Sequence, residues 1–442
     1  MKADVVVVGS GLPAVLSAHL FTRRGFRTVA VARDRQVYPA ALIIAQAEVA
    51  STVSFAAPPD DAVVMVSMSV EPWGPAESRT VKVRKLPYLL LDEERYCAKL
   101  ARQAKATGKL DVVSNATATE LVVERHQVAG VLLSTGQRVP ARLVVDCGAA
   151  GEPSLDSPEM PWFFPDLSAC WGRMSSDSRD AGAPASAWPM GRLMCQFLPG
   201  KGLTWGLRCT QNTLHVGALA IHGSDWSPQE HCERFFDDIG VPEDFGHPRG
   251  ASRSHFIGLP NPVPIAAGYV ALGFAAGQGN PVAPTDVSSV MTACFLAHAA
   301  GTRAMDDSDT TPASLWPYAR SYAREWGASQ AFAASLLTSL LSLPADTFDA
   351  LFHPGLLDEY AVSSLFRNKI IGEGGFSGVT AAFKSAMRRK GKAAWQAALA
   401  RARDAAALYR RAPEAWDVDA VWAWQKEVER QFPAPAARSE GM

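Results

Sequence analysis

The chain has 442 residues, more than one ordinary domain holds, and it prompts a division into two or three. Hydrophobic residues make up 48% of it and charged residues 20%, the composition of a folded, core-forming protein and not of a disordered one. With 43 basic against 44 acidic side chains, the net charge of -1 removes any global electrostatic case for nucleic acid or an anionic membrane as partner. The 7 cysteines are scattered and never spaced as CxxC, which argues against a disulfide framework or a thiolate metal site and for a reducing cytoplasm. None of the 9 histidines forms HxH, HExxH or HxxxH, so no metal site is expected. No basic leader with an apolar h-region opens the chain, and no apolar stretch approaches the roughly 20 residues of a membrane span.

The first element is the run Asp4 to Val8, whose consecutive valines predict a strand buried on both faces. Gly9-Ser10-Gly11-Leu12-Pro13-Ala14 follows and fits GxGxxG/A. In that pattern the first glycine makes the tight turn, the second lets a pyrophosphate approach the backbone, and the small third residue lets helix pack on strand. A helix is predicted from about Pro13 to Arg24, closed by Gly25, with a second strand from Thr28 to Ala32. The helix N-terminus would hold a dinucleotide diphosphate. An α/β crossover that binds no nucleotide satisfies the same pattern and stays open. At the end of the second strand, where a ribose-binding Asp or Glu is usual, stand Ala32 and Arg33. Either Arg33 faces a phosphate, as in NADP-type sites, or the adenosine pocket is weak.

Next come Pro87-Tyr88-Leu89-Leu90-Leu91-Asp92, a helical stretch Glu93 to Thr107 ended by Gly108, and two alternating strands near 119–124 and 128–133. A further β-branched run, Leu143-Val144-Val145-Asp146, leads to Cys147-Gly148. Residues 161–250 read as an antiparallel sheet, with strands Arg192 to Leu198, Leu203 to Thr210 and Thr213 to His222, the last two joined by Gln211-Asn212. After Ile257-Gly258-Leu259-Pro260, a strand Tyr269 to Leu272 runs into Gly273-Phe274-Ala275-Ala276-Gly277-Gln278-Gly279-Asn280-Pro281, and a helix begins near Asp286. The last third is alanine-rich with apolar residues at three- and four-residue spacing, broken at Pro344, Pro354-Gly355 and Pro413. It predicts about five helices and, from Pro433 to Met442, a disordered tail.

This order of elements resembles the FAD-dependent aromatic hydroxylase superfamily, the group A flavoprotein monooxygenases with the p-hydroxybenzoate hydroxylase fold, whose relatives include geranylgeranyl reductases and flavin-dependent halogenases. The likeness rests on residues 1–35, 86–151 and 255–300, less than half of the chain. It implies an α/β protein in which a Rossmann-like FAD-binding domain (1–60, 86–160 and 251–312) is interleaved with a substrate-binding antiparallel sheet (61–85 and 161–250) and followed by a helical region (313–432). The cofactor contacts it implies are Gly9, Gly11, Leu12, Pro13 and Ala14 at the diphosphate, Ala32 and Arg33 near the adenosine, and Gly273, Phe274, Ala275, Gly277 and Pro281 in a segment that looks like the family's GDAAGxxxP. Three positions depart from the family: Ala32 and Phe274 replace carboxylates, and Glu93 replaces an arginine.

The resemblance implies a FAD-dependent monooxygenase of biosynthetic type. It would hydroxylate an aromatic or electron-rich small molecule with O2 through a flavin C4a-hydroperoxide, with NAD(P)H or a partner reductase as transient electron source. Such chemistry asks the protein for orientation and a dry pocket more than for acid–base groups. In the sheet over the flavin, Trp205 can stack on an aromatic ring, and Arg208 or His215 can orient a phenol or carboxylate. The plainer readings are sheet core for Trp205, solvated surface for Arg208 and a structural role for His215. Asn280-Pro281-Val282 is similar to the DPV of some halogenases, but Thr204-Trp205-Gly206-Leu207 is all that stands near their WxWxIP. Three alternatives remain: a fold that has lost stable FAD and serves as a cyclase-like or accessory protein, a flavin-dependent reductase, and a halogenase. Between Lys384 and Arg411 basic residues far outnumber the single acid Asp404, which fits either a solvated face or the docking of an acidic carrier or peptide that brings a tethered substrate.

Overall fold

A computed structural model describes residues 3–9, 11–31, 42–46, 63–65, 68–73, 81–86, 88–148, 167–175, 192–210, 213–221, 255–256, 259–283, 286–352, 358–372 and 389–432. Among these, the organising layer is a six-stranded sheet. Its strands are β1 (Val5–Val8), β2 (Thr28–Val31), β8 (Leu110–Val113), β12 (Leu143–Asp146), β18 (Ile265–Ala266) and β19 (Tyr269–Ala271), in the order β18-β19-β12-β1-β2-β8. All neighbours are parallel except the β18–β19 pair. β1 is buried at every position because both faces are covered. Val5, Val7, Leu143, Val145 and Val270 face one hydrophobic core with α1 (Leu12–Arg24) and α3 (Ser288–Asp306). Val6, Val8, Val144 and Tyr269 face a second core under an antiparallel meander, β9 (Ala118–Glu124), β10 (Gln127–Leu133) and β11 (Arg138–Pro140).

The ends of α1 follow from its residues. Pro13 sits in the first turn, where a missing N–H costs nothing, Arg23 and Arg24 lie at the negative C-terminal end, and Gly25 closes the helix in the left-handed conformation with φ 101°. α2 (Glu93–Ala106) opens on two acids, Glu93 and Glu94, and buries Tyr96, Leu100 and Ala104 at helical spacing.

A seven-stranded sheet forms the second layer, in the order β17-β13-β16-β15-β14-β5-β6. It contains β5 (Met68–Trp73), β6 (Val83–Leu86), β13 (Leu167–Ser175), β14 (Arg192–Leu198), β15 (Gly202–Thr210), β16 (Thr213–Ile221) and β17 (His255–Phe256). A small further sheet pairs β3 (Leu42–Gln46) and β4 (Val63–Met65) with β7 (Tyr88–Asp92), the strand that runs straight into α2. The fold is therefore the expected α/β arrangement of a parallel-dominated sheet with separate antiparallel sheets and a helical C-terminal region.

Where the sequence predicts about five C-terminal helices, six stand among the described residues: α4 (Pro312–Tyr322), α5 (Ala328–Leu341), α6 (Ala345–Phe352), α7 (Glu359–Phe366), α8 (Arg389–Arg410) and α9 (Val418–Gln431). A π-helical turn over Ala323–Gly327 stands between α4 and α5. α8 lies along α5 and buries Trp395, Ala398, Ala402, Ala405 and Tyr409. Trp424 of α9 donates its indole N–H to Leu408 O at 2.8 Å and packs edge-on against Trp316 and Tyr409. No helix among the described residues is long and apolar enough to cross a membrane. The predicted tail lies outside the described residues.

Candidate cofactor site

Four successive β-branched residues end β1 at Gly9, and the chain must then turn at once into α1. Gly9 has φ +125°, and a Cβ there would lie 2.7 Å from the carbonyl oxygen of Cys147, so this position admits only glycine. Gly11, with φ +84° and ψ -174°, is the N-cap of α1 and offers no side chain of its own to the helix end. Val15 N–H closes the first turn onto Gly11 O at 3.1 Å. The N–H groups of Leu12 and Ala14 are thus turned toward an outside acceptor, Pro13 having none. Leu12 N–H already has one: it donates to Glu93 Oε1 at 3.0 Å.

The segment from Gly273 to Pro281 meets this turn directly. A Cβ on Gly273 (φ +61°) would fall 3.3 Å from Pro13 Cγ, and Cys294 Sγ of α3 reaches Pro13 O at 3.7 Å. Gly9, Gly11, Leu12, Pro13 and Ala14 are therefore brought together with the segment that carries Gly273, Ala275 and Gly277. Ala275 and Pro281 are buried, and Gly277 (φ +61°) packs so closely that a Cβ would approach Leu259 O to 2.9 Å. Residues 273–276 form one 3-10 turn. The side chain of Phe274, and Ala32 and Arg33 altogether, lie outside the described residues.

Sequence reasoning missed how this loop is held. Gln278 accepts Gly273 N–H at 2.8 Å and donates to Tyr318 Oη, which donates in turn to Ala271 O at 2.7 Å. Gln330 of α5 accepts from Gly279 N–H and Tyr322 Oη and donates to Gly277 O. Asn280 accepts Val282 N–H at 3.0 Å and donates to the carbonyls of Leu365 and Phe366 at the end of α7. Burial drives the phenols of Tyr318 and Tyr322 well above their ordinary range, so both stay protonated donors. Asp286, 2% exposed, stands just before the N-cap Val287 of α3 and accepts Ser288 N–H at 2.9 Å. Burial and the neighbouring Asp286 raise the phenol of Tyr88. Burial likewise raises the thiol of Cys147 and pushes that of Cys294 up to about 12, so neither is a reactive thiolate.

The sheet candidates lie apart from this loop in sequence. Trp205 of β15 is 2% exposed and lies over Gly217 of β16, with its indole N–H unpartnered among the described residues. His215 pairs in register with Leu207 and with Arg173, and Arg208 with Leu214; the side chains of Arg208 and His215 lie outside the described residues. Among the described residues no cluster of His, Cys, Asp or Glu can hold a metal ion.

No protein-family model and no curated protein matches the chain. Solved structures do. A geranylgeranyl bacteriochlorophyll reductase-like protein from Thermoplasma acidophilum superposes with a TM-score of 0.61 at 16% identity, covering 92% of this chain and 97% of that one. The myxobacterial chondrochloren halogenase CndH, a FAD-dependent halogenase, gives 0.61 at 15%, covering 97% of each. The halogenase PltM in complex with phloroglucinol and FAD gives 0.59 at 15%, again covering 97% of each. At these identities the likeness is one of fold. The chain has the fold of the flavin-dependent halogenases and of the reductase-like protein, the relatives its motifs resemble.

A FAD diphosphate needs free backbone N–H groups at the helix head and room beside the second glycine. A carboxylate already sits on Leu12 N–H, so the turn accepts an oxyanion there, and the space beside Gly11, which has no side chain of its own, is taken by Glu93 Oε1, 3.3 Å from where a Cβ would stand. The backbone of the first motif fits the group.

Proposed function

We propose that the chain is a FAD-dependent oxidoreductase that acts with O2 on an aromatic or electron-rich small molecule, hydroxylation being its reaction. The observation that supports this is the contact between the two glycine turns: Gly9 and Gly11 at the head of α1, with Pro13 against Gly273 of the loop from Gly273 to Ala283. The backbone of Gly11, Leu12 and Ala14 would hold the diphosphate, and the loop from Gly273 to Pro281 would lie beside the ring system. FAD would supply two-electron chemistry and activation of O2. The chain's own contribution is to fix the loop through Gln278, Tyr318 and Gln330 and to exclude water from it. Hydroxylation is preferred to halogenation because Thr204-Trp205-Gly206-Leu207 does not reproduce the halogenase pattern and Trp205 is packed into its sheet. NAD(P)H or a reductase is the electron source in this reading. The exposed Arg401, Arg403 and Arg410 of α8 suit an acidic carrier presenting a tethered substrate.

The absorption spectrum of the purified chain, with a titration of added FAD followed by flavin fluorescence, tests the reading. Flavin absorbance or saturable quenching supports it, and product analysis with and without bromide then separates hydroxylation from halogenation. A colourless chain indifferent to FAD would favour the second reading, a retained fold with another ligand.

A further inference from the structure

Glu93 begins α2, and a glutamate in a first turn ordinarily serves its own helix. Its carboxylate here reaches another helix. Oε1 accepts Leu12 N–H at the head of α1, and among the described residues beyond Gly11 and its chain neighbours the same oxygen is the one heavy atom within 4 Å of the position a Gly11 Cβ would take, at 3.3 Å. It therefore fills the notch that the second glycine of the motif leaves open. Pro13 has no N–H, so Leu12 is half of what α1 can offer an outside acceptor beyond its cap. A diphosphate arriving at this turn needs both the N–H and the notch.

We propose that Glu93 is an internal occupant of the diphosphate seat, held between the N-terminal ends of α1 and α2, and that a dinucleotide must displace it to bind. The proposal rests on the reading of this turn as a FAD site. Three consequences follow from the geometry. The seat is filled by a charge of the same sign as the ligand, so binding exchanges one anion for another and not water for an anion. The residue lies 81 positions from Leu12, at the junction of β7 and α2, so a displaced Glu93 moves at that junction and not within the glycine turn. Glu93 lies outside the glycine turn, so its replacement changes no residue of that turn.

The test uses the full chain as wild type, Glu93→Gln and Glu93→Ala, titrated with FAD by flavin fluorescence and with ADP by calorimetry, ADP being a diphosphate without the flavin. An anion at a helix N-terminus contributes enough that both variants are expected to bind both probes about tenfold more tightly. The ligand-free melting temperature of each variant is measured alongside, so that loss of fold is not read as loss of binding, and the isosteric Glu93→Gln serves where Glu93→Ala does not fold. If FAD binds all three chains equally, the Glu93 proposal falls and the FAD reading stands. If ADP tightens in the variants while FAD binds none of them, Glu93 occupies the seat and the FAD reading falls. If neither probe binds any chain, both fall.

Discussion

Gln278 Nε2 donates to Tyr318 Oη at 2.8 Å, and the two side chains together join the loop from Gly273 to Ala283 to helix α4. Both are buried, and the phenol passes the chain of bonds on to Ala271 O at the end of β19. A loop predicted to lie beside a flavin is thus held from behind by the C-terminal helices, through Tyr318 and Gln330, and not by its own backbone alone. Tyr318→Phe strands two buried groups, the Ala271 carbonyl and the Gln278 amide. An unsatisfied buried polar group costs about 1–3 kcal/mol, so the variant is expected to lose roughly 2–4 kcal/mol of stability. Urea unfolding of wild type and variant measures it, and an unchanged midpoint at equal slope would show that the bonds contribute nothing net.

Trp205 and Gly217 make a second coupled pair. A Cβ at Gly217 would come within 2.0 Å of Trp205 Cζ2, so the ring can lie flat across β16 only because that position has no side chain. Gly217→Ala is expected to destabilise by about 1–3 kcal/mol through overpacking, and Trp205→Leu by a comparable amount through a cavity. In the double variant the clash is absent, so the losses should fall short of their sum by more than the roughly 0.5 kcal/mol of ordinary additivity. Strict additivity in thermal or urea unfolding would refute the contact.

At Gly11 strain and charge can be separated. Its φ of +84° with ψ near -174° is a region that essentially only glycine occupies, so Gly11→Ala and Gly11→Asp each carry about 1–3 kcal/mol of strain. Only the aspartate adds a second carboxylate beside Glu93. Gly11→Asp is expected to remain folded and to retain no FAD, with Gly11→Ala intermediate. Flavin retained by Gly11→Asp after gel filtration would remove the first motif from the cofactor site.

The motif was legible because each of its physical requirements leaves a mark in sequence: valines for a strand buried on both faces, glycines where the backbone turns with positive φ, Arg23-Arg24-Gly25 where the helix stops. The strands β14 and β15 were legible for the same reason. What could not be read are relations across sequence. Glu93 looks like any first-turn acid until α1 is placed beside it. Gln278, Tyr318, Tyr322 and Gln330 look like polar interruptions in small-residue stretches, because a buried hydrogen-bonding side chain and a solvated one have the same letter. The π-helical turn at 323–327 carries Arg324, which bonds to Ala412 O and Glu414, and Glu414 also accepts from Arg320. Only the meeting of α4 with the turn after α8 makes that visible.

Two histidines give the fold a pH dependence. His19 of α1 is fully buried, and burial, with Arg23 and Lys99 nearby, lowers its pKa to about 4. His298 of α3 stacks edge-on against Phe21 at 5.1 Å; burial, and then Arg24, lowers it to about 4 as well, against the small opposing effect of a backbone bond at Leu20. Both are neutral in the fold and titrate near 6.5 when the chain unfolds. Above pH 6.5 neither state holds the proton and the histidines contribute no pH dependence. Between 6.5 and about 4 the unfolded chain binds protons that the folded one excludes, so stability falls with pH by up to about 1.4 kcal/mol per unit for each histidine. His298→Phe, which keeps a ring against Phe21, should remove about half of that slope while leaving stability at pH 8 within about 1–2 kcal/mol of wild type. Denaturation midpoints from pH 8 to pH 4.5 measure it; a slope identical in the two proteins would mean that His298 is protonated in the fold and that Arg24 and the apolar wall around Phe21 do not act on it as described.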